Sequence, residues 1–372
     1  MGSIPLALGP HAGVGEATSV LVSPDEAGSR PFVSIVIPCR NERGHIAPCL
    51  DSILDTDYPI DRLEILVVDG ASDDGTRDIL DEYTVRHPCV RCLDNPRRIT
   101  PVALNIGIQE ARGEIIMRMD AHSRYPRNYI GGLVGWLERS GADNVGGVWR
   151  TLPANDGTKA RAIATALAHP FAVGAAHYRL GVREPRWVDT VPFGCYRRSV
   201  FSRIGLFDEE LVRNQDDEFN HRLLKHGGRI LLVPDVSCDY FARESIAKLA
   251  RMFYQYGYFK PLVVRKLGGI FTVRQLVPPL FVAALLGTLL LAPVVPWLGA
   301  AFVGLAIVYG AAVAACALRA AASAGFDIAL PFAAAFPVIH LSYGVGFLRG
   351  ILDFVLRRKR GDRNAAAIPV TR

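Results

Sequence analysis

The strongest constraint on this chain is a stretch of 43 residues, Leu276 to Leu318, that contains no Asp, Glu, Lys, Arg or His. A second apolar stretch, Ile328 to Leu348, is interrupted only by His340. Because a helix needs about 20 apolar residues to cross a bilayer, the first stretch is long enough for two crossings and the second for one. The sequence therefore predicts about three transmembrane helices within residues 270–356.

Basic side chains lie on both sides of these stretches. The chain of 372 residues has a net charge of +6, and its basic residues gather just before the first stretch and again at Arg357 to Arg360. Cationic residues beside a membrane segment commonly mark its cytoplasmic side and contact anionic lipid. We therefore expect membrane lipid as a partner and no nucleic acid.

The basic tail, residues 357–372, conflicts with a simple topology. If the preceding domain is cytoplasmic, three crossings place this tail outside, against the positive-inside tendency. Either the stretch from Ile328 to Leu348 is re-entrant, or it spans the membrane and overrides the charge rule. Its length favours the span, so the sequence predicts a multi-pass protein of the cell membrane with a cytoplasmic N-terminal domain.

Three further features of the sequence concern the regions outside the apolar stretches. Residues 1–30 are rich in Gly, Pro, Ser and Ala and lack a signal-peptide pattern, which predicts a flexible leader. The seven cysteines are scattered, with one C-x-x-C pair, as expected for reduced thiols in a cytoplasmic domain. Residues 244–269 mix aromatic and basic side chains, which indicates an amphipathic segment in the membrane interface or, alternatively, an ordinary helix that closes the domain.

Strands and helices alternate from residue 31 to about residue 243. Strands are predicted at Val33–Pro38, Leu63–Asp69 and Glu114–Asp120, with helical segments between them. This alternation is typical of an α/β domain with a mainly parallel sheet flanked by helices. Ligands bind such sheets at the carboxyl ends of the strands. The polar residues at or just after predicted strand ends are Asn41, Glu42, Asp69, Asp73, Asp74, Asp120 and His122.

Two acidic groups suggest chemistry. Asp120 and His122 are two residues apart at a strand end, so their side chains leave on the same face and suit a divalent cation that also holds a diphosphate. A chance pair in a surface turn is the alternative. Asp216, Asp217 and Glu218 are adjacent, which raises at least one pKa toward the range of a general base; the alternative is a solvated helix start. The chain has neither G-x-G-x-x-G after the first strand nor a P-loop, which argues against dinucleotide oxidoreductases and P-loop NTPases.

The order of these segments resembles that of the family 2 inverting glycosyltransferases. The matching segments are Ser34–Pro38, Asn41–Glu42, Leu66–Thr76, Asn105–Gly107, Asp120–His122 and residues 214–218. Residues 95–122 resemble more narrowly the succinoglycan-type, membrane-associated glucosyltransferases. The resemblance covers about residues 32–260 and implies a GT-A fold, assigned here to residues 31–243, followed by the C-terminal transmembrane region.

The resemblance also implies roles for individual residues. Asp216 would be the catalytic base, with Asp217 beside it as a competitor on the acceptor side. Asp120 and His122 would hold Mn²⁺ or Mg²⁺, and the imidazole makes Mn²⁺ at least as plausible as Mg²⁺. Phe193 and Gly194 would belong to an acceptor-side loop. The residues assigned to the nucleotide sugar are Pro38, Arg40, Glu42, Asp69, Asp73, Asp74, Arg98 and Asp120, with Arg97 and Arg98 equally compatible with surface positions.

This sequence departs from the family pattern at two positions. Gly70 stands where a second acidic residue is usual, and Gln215 stands where the family has Glu before the catalytic Asp. Asp69 and Asp216 are intact, so neither departure removes a residue assigned above.

The expected function is metal-dependent, inverting transfer of a single sugar from a UDP-hexose, with UDP-glucose as the expected donor. The acceptor would be lipid-linked or a polysaccharide precursor at the cytoplasmic membrane face. A processive polysaccharide synthase is the nearest alternative, but residues 251–257 lack the Q-x-x-R-W pattern of those enzymes. A non-catalytic nucleotide-sugar sensor would be expected to lack Asp120 or Asp216, and a transporter would show internal repeats and more spans.

Overall fold

Residues 31 to about 243 form one mixed sheet with helices on both faces. The computed structural model describes residues 30–269 and 273–361. Its strands are β1 (Val33–Cys39), β2 (Leu63–Asp69), β3 (Val90–Asp94), β4 (Ile115–Arg118), β5 (Ser123–Arg124), β6 (Asn144–Leu152), β7 (Arg186–Trp187), β8 (Cys195–Arg197) and β9 (Ile230–Phe241).

Helices precede, connect and follow these strands. They are α1 (Ile46–Leu54), α2 (Thr76–Arg86), α3 (Thr100–Glu110), α4 (Tyr129–Ser140), α5 (Thr158–Leu167), α6 (Pro170–Val173), α7 (His177–Leu180), α8 (Ser199–Ile204), α9 (Gln215–Lys225), α10 (Ile246–Leu267), α11 (Val277–Leu291), α12 (Trp297–Ala324) and α13 (Ala329–Gly350). A π-helical turn, Ile351–Leu356, continues α13.

The sheet order is β3-β2-β1-β4-β8-β6-β9-β5, with β7 paired to β9. Strands β3, β2, β1 and β4 are parallel, whereas β8 runs antiparallel between β4 and β6. One apolar cluster packs α1, α2 and α4 on one face, and a second packs α3, α8 and α9 on the other. Because both faces are covered, β1 and β2 are buried almost throughout, as parallel strands require. The predicted α/β domain is confirmed.

Strand β9 is 12 residues long and continues through a proline, Pro234. The register against β6 pairs Gly147 with Val233 and then Val148 with Ser237, so Pro234 to Val236 form a bulge. A proline is tolerated there because a residue in a bulge does not have to donate a backbone hydrogen bond to the neighbouring strand. The extension carries Tyr240 toward the carboxyl end of β4.

The described part of the C-terminal third is helical. Within it, three segments are long and apolar enough to cross a membrane: Val273–Leu291, Trp297–Ala324 and Phe326–Leu356. The segment predicted to lie in the membrane interface forms α10, whose second half is buried. The leader before Arg30 and the tail after Gly361 lie outside the described residues.

Glycines allow α10 and α13 to pack backbone to backbone. A Cβ added at Gly257 would contact the carbonyl oxygen of Tyr343, and one at Gly350 would contact the carbonyl oxygen of Tyr258. Small residues at such a crossing let two helix backbones approach closely. The apolar helix α13 is therefore joined directly to the helix that follows the sheet domain.

Candidate active site

One arginine joins the two acidic groups predicted from the sequence. Arg118, near the end of β4, donates to Asp120 Oδ1 through Nε at 3.1 Å and through Nη2 at 3.0 Å. Its Nη1 donates to the carboxylate of Asp216 at the start of α9. The side chain of Arg118 is 7% exposed. This buried bridge holds Asp120 and Asp216 on either side of one guanidinium.

The start of α9 is fixed by an unusual backbone conformation. Asn214 has φ 62°, in the left-handed region that Asn tolerates better than most residues. Its side-chain amide donates to the carbonyl oxygen of Tyr256 at 2.8 Å. The turn before Asp216 is thereby tied to α10.

The two neighbouring acids of α9 differ in their environments. Burial raises the pKa of Asp216 to about 6; the charge of Arg118 opposes this rise, and that of Asp120 adds to it. Asp217 accepts from Nζ of Lys260 at 2.6 Å. Burial would raise the pKa of Asp217, but Lys260 and His221 more than offset it, so the pKa is lowered. Asp216 is thus the more basic carboxylate, while still ionised at neutral pH.

Asp120 and His122 face each other, as their spacing predicts. Nε2 of His122 lies 4.0 Å from Asp120 Oδ2, and Nδ1 of His122 lies 3.3 Å from Oε1 of Glu42. A carboxylate at Nδ1 orients an imidazole so that its other nitrogen can bind a metal. The part of the chain that the structure describes contains no group of three or more His, Cys, Asp or Glu side chains placed to hold a metal ion. The protein therefore offers two ligands here, not a closed metal site.

The loops after β1 and β2 lie side by side. Asp69 is buried and accepts from the hydroxyl of Ser72 at 2.5 Å. Arg40 packs its side-chain carbons against Gly70, whose lack of a side chain leaves room for them. The structure thus brings Arg40 and Asp69 together beside Pro38, the penultimate residue of β1.

Asp73 and Asp74 mainly hold these loops in place. Asp73 is linked to Asn41 by hydrogen bonds of 2.9 and 3.0 Å. Asp74 accepts from the backbone and hydroxyl of Thr76 at the start of α2, and from the backbone of Arg43. Arg98 is exposed in a left-handed conformation, φ 61°. Donor contacts of these three residues stay predictions.

Phe193 and Gly194 lie against the arginine bridge. The guanidinium of Arg118 lies 5.8 Å from the centre of the Phe193 ring, and the backbone amide of Arg118 donates to the carbonyl oxygen of Gly194. A side chain at Gly194 would collide with the ring of Tyr196. The predicted acceptor-side loop therefore lies next to both acids.

A cavity of about 620 Å³ connects this site to the apolar helices. At one end it is lined by Asp120, His122 and Asp216, and at the other by Val277, Phe281 and Tyr309 of α11 and α12. Asp120, Asp216 and the apolar helices thus line the same space.

Sequence reasoning missed Arg118 and misplaced Lys260. Arg118 is a lone charge in the apolar strand Ile115–Arg118, two residues before Asp120 and therefore on the same face, which is a usable signal. Lys260 is one of the basic residues before the first apolar stretch, which are predicted to flank the membrane, whereas the structure shows it 6% exposed and paired with Asp217. Its place in the apolar half of α10 was the available hint.

Known proteins match this chain closely enough to classify it. The model of the family described as "Glycosyl transferase family 2" matches residues 34–205. The succinoglycan biosynthesis protein ExoA of Rhizobium meliloti (strain 1021) is 31% identical over 345 residues, which are 90% of this chain and 98% of that protein. The chain belongs to glycosyltransferase family 2.

Two further proteins resemble this family 2 glycosyltransferase. The first, from Methanococcus voltae, is 28% identical over 70% of this chain and 81% of its own length. Its name is dolichyl N-acetyl-alpha-D-glucosaminyl phosphate 3-beta-D-2,3-diacetamido-2,3-dideoxy-beta-D-glucuronosyltransferase. The solved mannosyltransferase PcManGT from Pyrobaculum calidifontis, in complex with GDP-Man and Mn²⁺, superposes with a TM-score of 0.53 at 22% identity over 89% of each chain. The predicted GT-A fold is confirmed. The enzyme is a nucleotide-sugar transferase of polysaccharide or lipid-linked saccharide biosynthesis.

Proposed function

We propose that this glycosyltransferase transfers a single sugar, with inversion, from a nucleoside diphosphate sugar to an acceptor carried by a membrane lipid. UDP-hexoses are the proposed donors, with UDP-glucose first. The observation that carries the proposal is the cavity that runs from Asp120 and Asp216 to the apolar helices α11 and α12. It gives an amphiphilic acceptor a route from the apolar helices to the acids.

Asp216 is the proposed base. An acceptor hydroxyl attacks the anomeric carbon of the donor, and the bond from that carbon to the diphosphate oxygen breaks. Asp216 takes the proton of the hydroxyl as the new bond forms, and the nucleoside diphosphate leaves with the bonding electrons. The pKa of about 6 makes Asp216 a stronger base than an ordinary Asp and leaves it ionised at pH 7.

Asp120 and His122 are the proposed ligands of a divalent cation, Mn²⁺ or Mg²⁺. The arrangement fits such an ion because His122 Nε2 faces Asp120 Oδ2 while Glu42 engages Nδ1. Two protein ligands suit ions that take most of their ligands from phosphate and water. When bound, the cation would neutralise charge that develops on the departing diphosphate.

The remaining predicted residues divide between donor and acceptor. Pro38, Arg40 and Asp69 are proposed to contact the nucleoside, because they meet at the carboxyl ends of β1 and β2. Phe193, Gly194 and Asp217 are proposed to border the acceptor, because they lie between the arginine bridge and the apolar helices. The names of two similar proteins support a saccharide acceptor that is lipid-linked or a polysaccharide precursor: one is named for succinoglycan biosynthesis and the other for a dolichyl phosphate compound.

The function is tested with the purified full chain in detergent. A thermal-shift panel of UDP-, GDP- and dTDP-sugars, with and without Mn²⁺, should identify the donor. Labelled sugar from that donor should then enter the organic phase when membrane lipid is added, and Asp216→Asn should not support this. Hydrolysis of the donor without transfer of labelled sugar to lipid would contradict the proposal. A melting temperature that no nucleotide sugar changes would contradict it as well.

We further propose that the catalytic domain is cytoplasmic and that α11 and α12 cross the membrane as a hairpin. Both ends of the hairpin are attached to the catalytic domain. Arg274, before α11, pairs with Asp189 at 2.8 Å, and Asp327, after α12, pairs with Arg161 at 2.9 Å. A chain that leaves a domain and returns to it has crossed the membrane an even number of times.

Helix α13 is proposed to lie along the membrane face instead of spanning it. Near its middle, His340 Nε2 lies 2.8 Å from the carbonyl oxygen of Phe171 in α6. Beyond its end, the backbone at Gly361 packs against the carbonyl oxygen of Glu210. These contacts with the catalytic domain support two membrane crossings, where the sequence predicts three, and they keep Gly361 on the cytoplasmic side.

A reporter fused after residue 372 distinguishes the two topologies. With two crossings, green fluorescent protein fused there should fluoresce and alkaline phosphatase should be inactive. Active alkaline phosphatase at this position would support three crossings and overturn the proposed topology.

A further inference from the structure

Three arginines converge on the part of the cavity that the proposed chemistry does not use. Arg179, at the end of the segment His177–Leu180, is 7% exposed. Its guanidinium lies 4.5 Å from the ring centre of Trp149 and 5.0 Å from that of Tyr240. Arg213 and Arg243 line the same cavity. Burial and the charge of Arg243 lower the pKa of Arg213, which reflects the proximity of like charges.

Two of these three arginines, Arg179 and Arg243, carry charges that no carboxylate of the described residues neutralises. In the described ranges, neither Arg179 nor Arg243 forms an ion pair with a carboxylate, and both Nη1 of Arg179 and Nε of Arg243 are buried without a hydrogen-bond partner. Arg213 donates to the neutral side chain of Gln255 at 3.1 Å. Buried donors and charges without partners are costly, so such a group strongly favours an anion.

The other cations of the cavity are already engaged. Arg118 bridges Asp120 and Asp216, Lys260 pairs with Asp217, and Arg274 pairs with Asp189. Among the described residues that line the cavity, the positive charge that no carboxylate offsets therefore belongs to Arg179 and Arg243. Arg213 lines the same cavity.

Aromatic rings separate Arg179 from the two acids. Arg118 contacts the ring of Phe193, the centres of the Phe193 and Trp149 rings are 5.1 Å apart, and Arg179 lies over Trp149. An anion held at Arg179 is thus offset from the Arg118 bridge by two aromatic rings. Beyond the cluster the wall becomes apolar, with Val277, Phe281 and Ile339.

We propose that Arg179, Arg213 and Arg243 bind the phosphate or diphosphate that joins a long apolar chain to the acceptor saccharide. This proposal rests on the proposed function, because it identifies the acceptor as a lipid phosphate ester. The guanidinium groups hold the phosphate oxygens, the apolar wall receives the chain, and the saccharide extends past Phe193 toward Asp216. The other possible source of such oxygens is the diphosphate of the donor, and the experiment separates the two.

The test measures binding to the full chain in detergent by calorimetry, with farnesyl diphosphate, inorganic diphosphate and UDP with Mn²⁺ as probes. Farnesyl diphosphate should bind more tightly than inorganic diphosphate. Arg179→Gln and Arg243→Gln should each weaken farnesyl diphosphate binding about tenfold or more, the order expected for a lost charge-assisted hydrogen bond. Binding of UDP with Mn²⁺ should change less than about twofold.

Arg139→Gln is the matched control, because Arg139 lies 4.1 Å over the ring of Trp136 on the outer surface, away from the cavity. This substitution should change neither the affinity for farnesyl diphosphate nor that for UDP with Mn²⁺. If Arg179→Gln does not fold, Arg243→Gln and the charge-retaining Arg243→Lys decide the question, with Lys expected to keep part of the affinity.

Equal loss of UDP binding in the arginine variants would assign the cluster to the donor and overturn the proposal. Equal affinity for farnesyl and inorganic diphosphate would also overturn it. Because binding is measured without turnover, farnesyl diphosphate binding in a protein that transfers no sugar would contradict the proposed function but not the lipid phosphate site.

Discussion

Replacing Asp216 with Asn should remove most of the turnover while leaving donor binding near that of the wild type. Asn keeps the size of the side chain, and its amide oxygen can still accept from Arg118, but it cannot take the proton of the acceptor. A positioned base contributes about 10²- to 10⁴-fold, so we expect kcat to fall about 10²-fold or more. Initial rates of nucleoside diphosphate release and calorimetric donor binding, measured on one preparation, check both parts.

The raised pKa of Asp216 also predicts the pH dependence of the wild-type enzyme. With a pKa of about 6, roughly 90% of this carboxylate is ionised at pH 7 and roughly 10% at pH 5. The kcat should therefore fall about tenfold as the pH is lowered from 7 to 5. An Asp with an ordinary pKa would keep its activity down to about pH 4. A flat profile between pH 7 and pH 5 would contradict the assignment.

The same pKa has a consequence for stability, with a defined sign. Because the folded-state pKa lies above the unfolded one, Asp216 lowers the free energy of unfolding as the pH rises from about 4 to about 6. The full effect is at most about 3 kcal/mol. The Asp216→Asn variant should therefore have a higher melting temperature than the wild type at pH 7.5. This difference in melting temperature should become smaller toward pH 4.

Asp217→Asn is the matched control for these experiments. It should retain kcat within about tenfold, because Asp217 is paired with Lys260 and its pKa is lowered, not raised. It should lower the melting temperature, because the buried ammonium of Lys260 loses its counter-charge. If Asp217→Asn were inactive while Asp216→Asn turned over nearly normally, the proton acceptor would be misassigned by one residue.

Three shorter predictions concern the metal, the membrane and the helix packing. EDTA should abolish transfer and Mn²⁺ or Mg²⁺ should restore it, while Asp120→Ala should weaken donor binding only when metal is present; full activity in EDTA would contradict the metal site. The full chain should stay in membranes washed with carbonate or high salt, and its release would refute the membrane assignment. Gly350→Leu should lower the free energy of unfolding by about 1–3 kcal/mol, because the new side chain would meet the carbonyl oxygen of Tyr258. Thermal unfolding measures this change. Gly287→Leu is the control, because a Cβ at Gly287 would meet nothing within 4 Å.

The parts of the site that follow strand ends could be predicted from the sequence. Asp120 and His122 alternate with Ala121 in extended backbone, so their common face follows from local geometry alone. The parallel order of β1, β2 and β4 follows from the helices between them. Arg118 could not be assigned in the same way, because its function depends on Asp216, which lies 98 residues away in the chain.

The helical third shows a different limit. Hydropathy identifies Phe326–Leu356 as long and apolar enough to span a membrane. It does not distinguish a face that contacts lipid from one that contacts protein, since both are apolar. Here Phe332 and Phe336 are fully buried against protein, whereas Leu330 is 80% exposed. The packing of α13 on α10 uses Gly346 and Gly350, whose spacing of four residues indicates a close helix contact but does not identify the partner helix.

The bulge in β9 makes the site sensitive to chain length. Pro234 to Val236 are three extra residues opposite the step from Gly147 to Val148. Side chains alternate between the two faces of a strand, so an odd insertion decides which face each later residue occupies. Loss of one residue here would exchange Tyr240 with its neighbours, and the ring that stacks on Trp149 at 4.2 Å would leave the cavity. We therefore expect working relatives to vary the length of this segment only in steps of two residues.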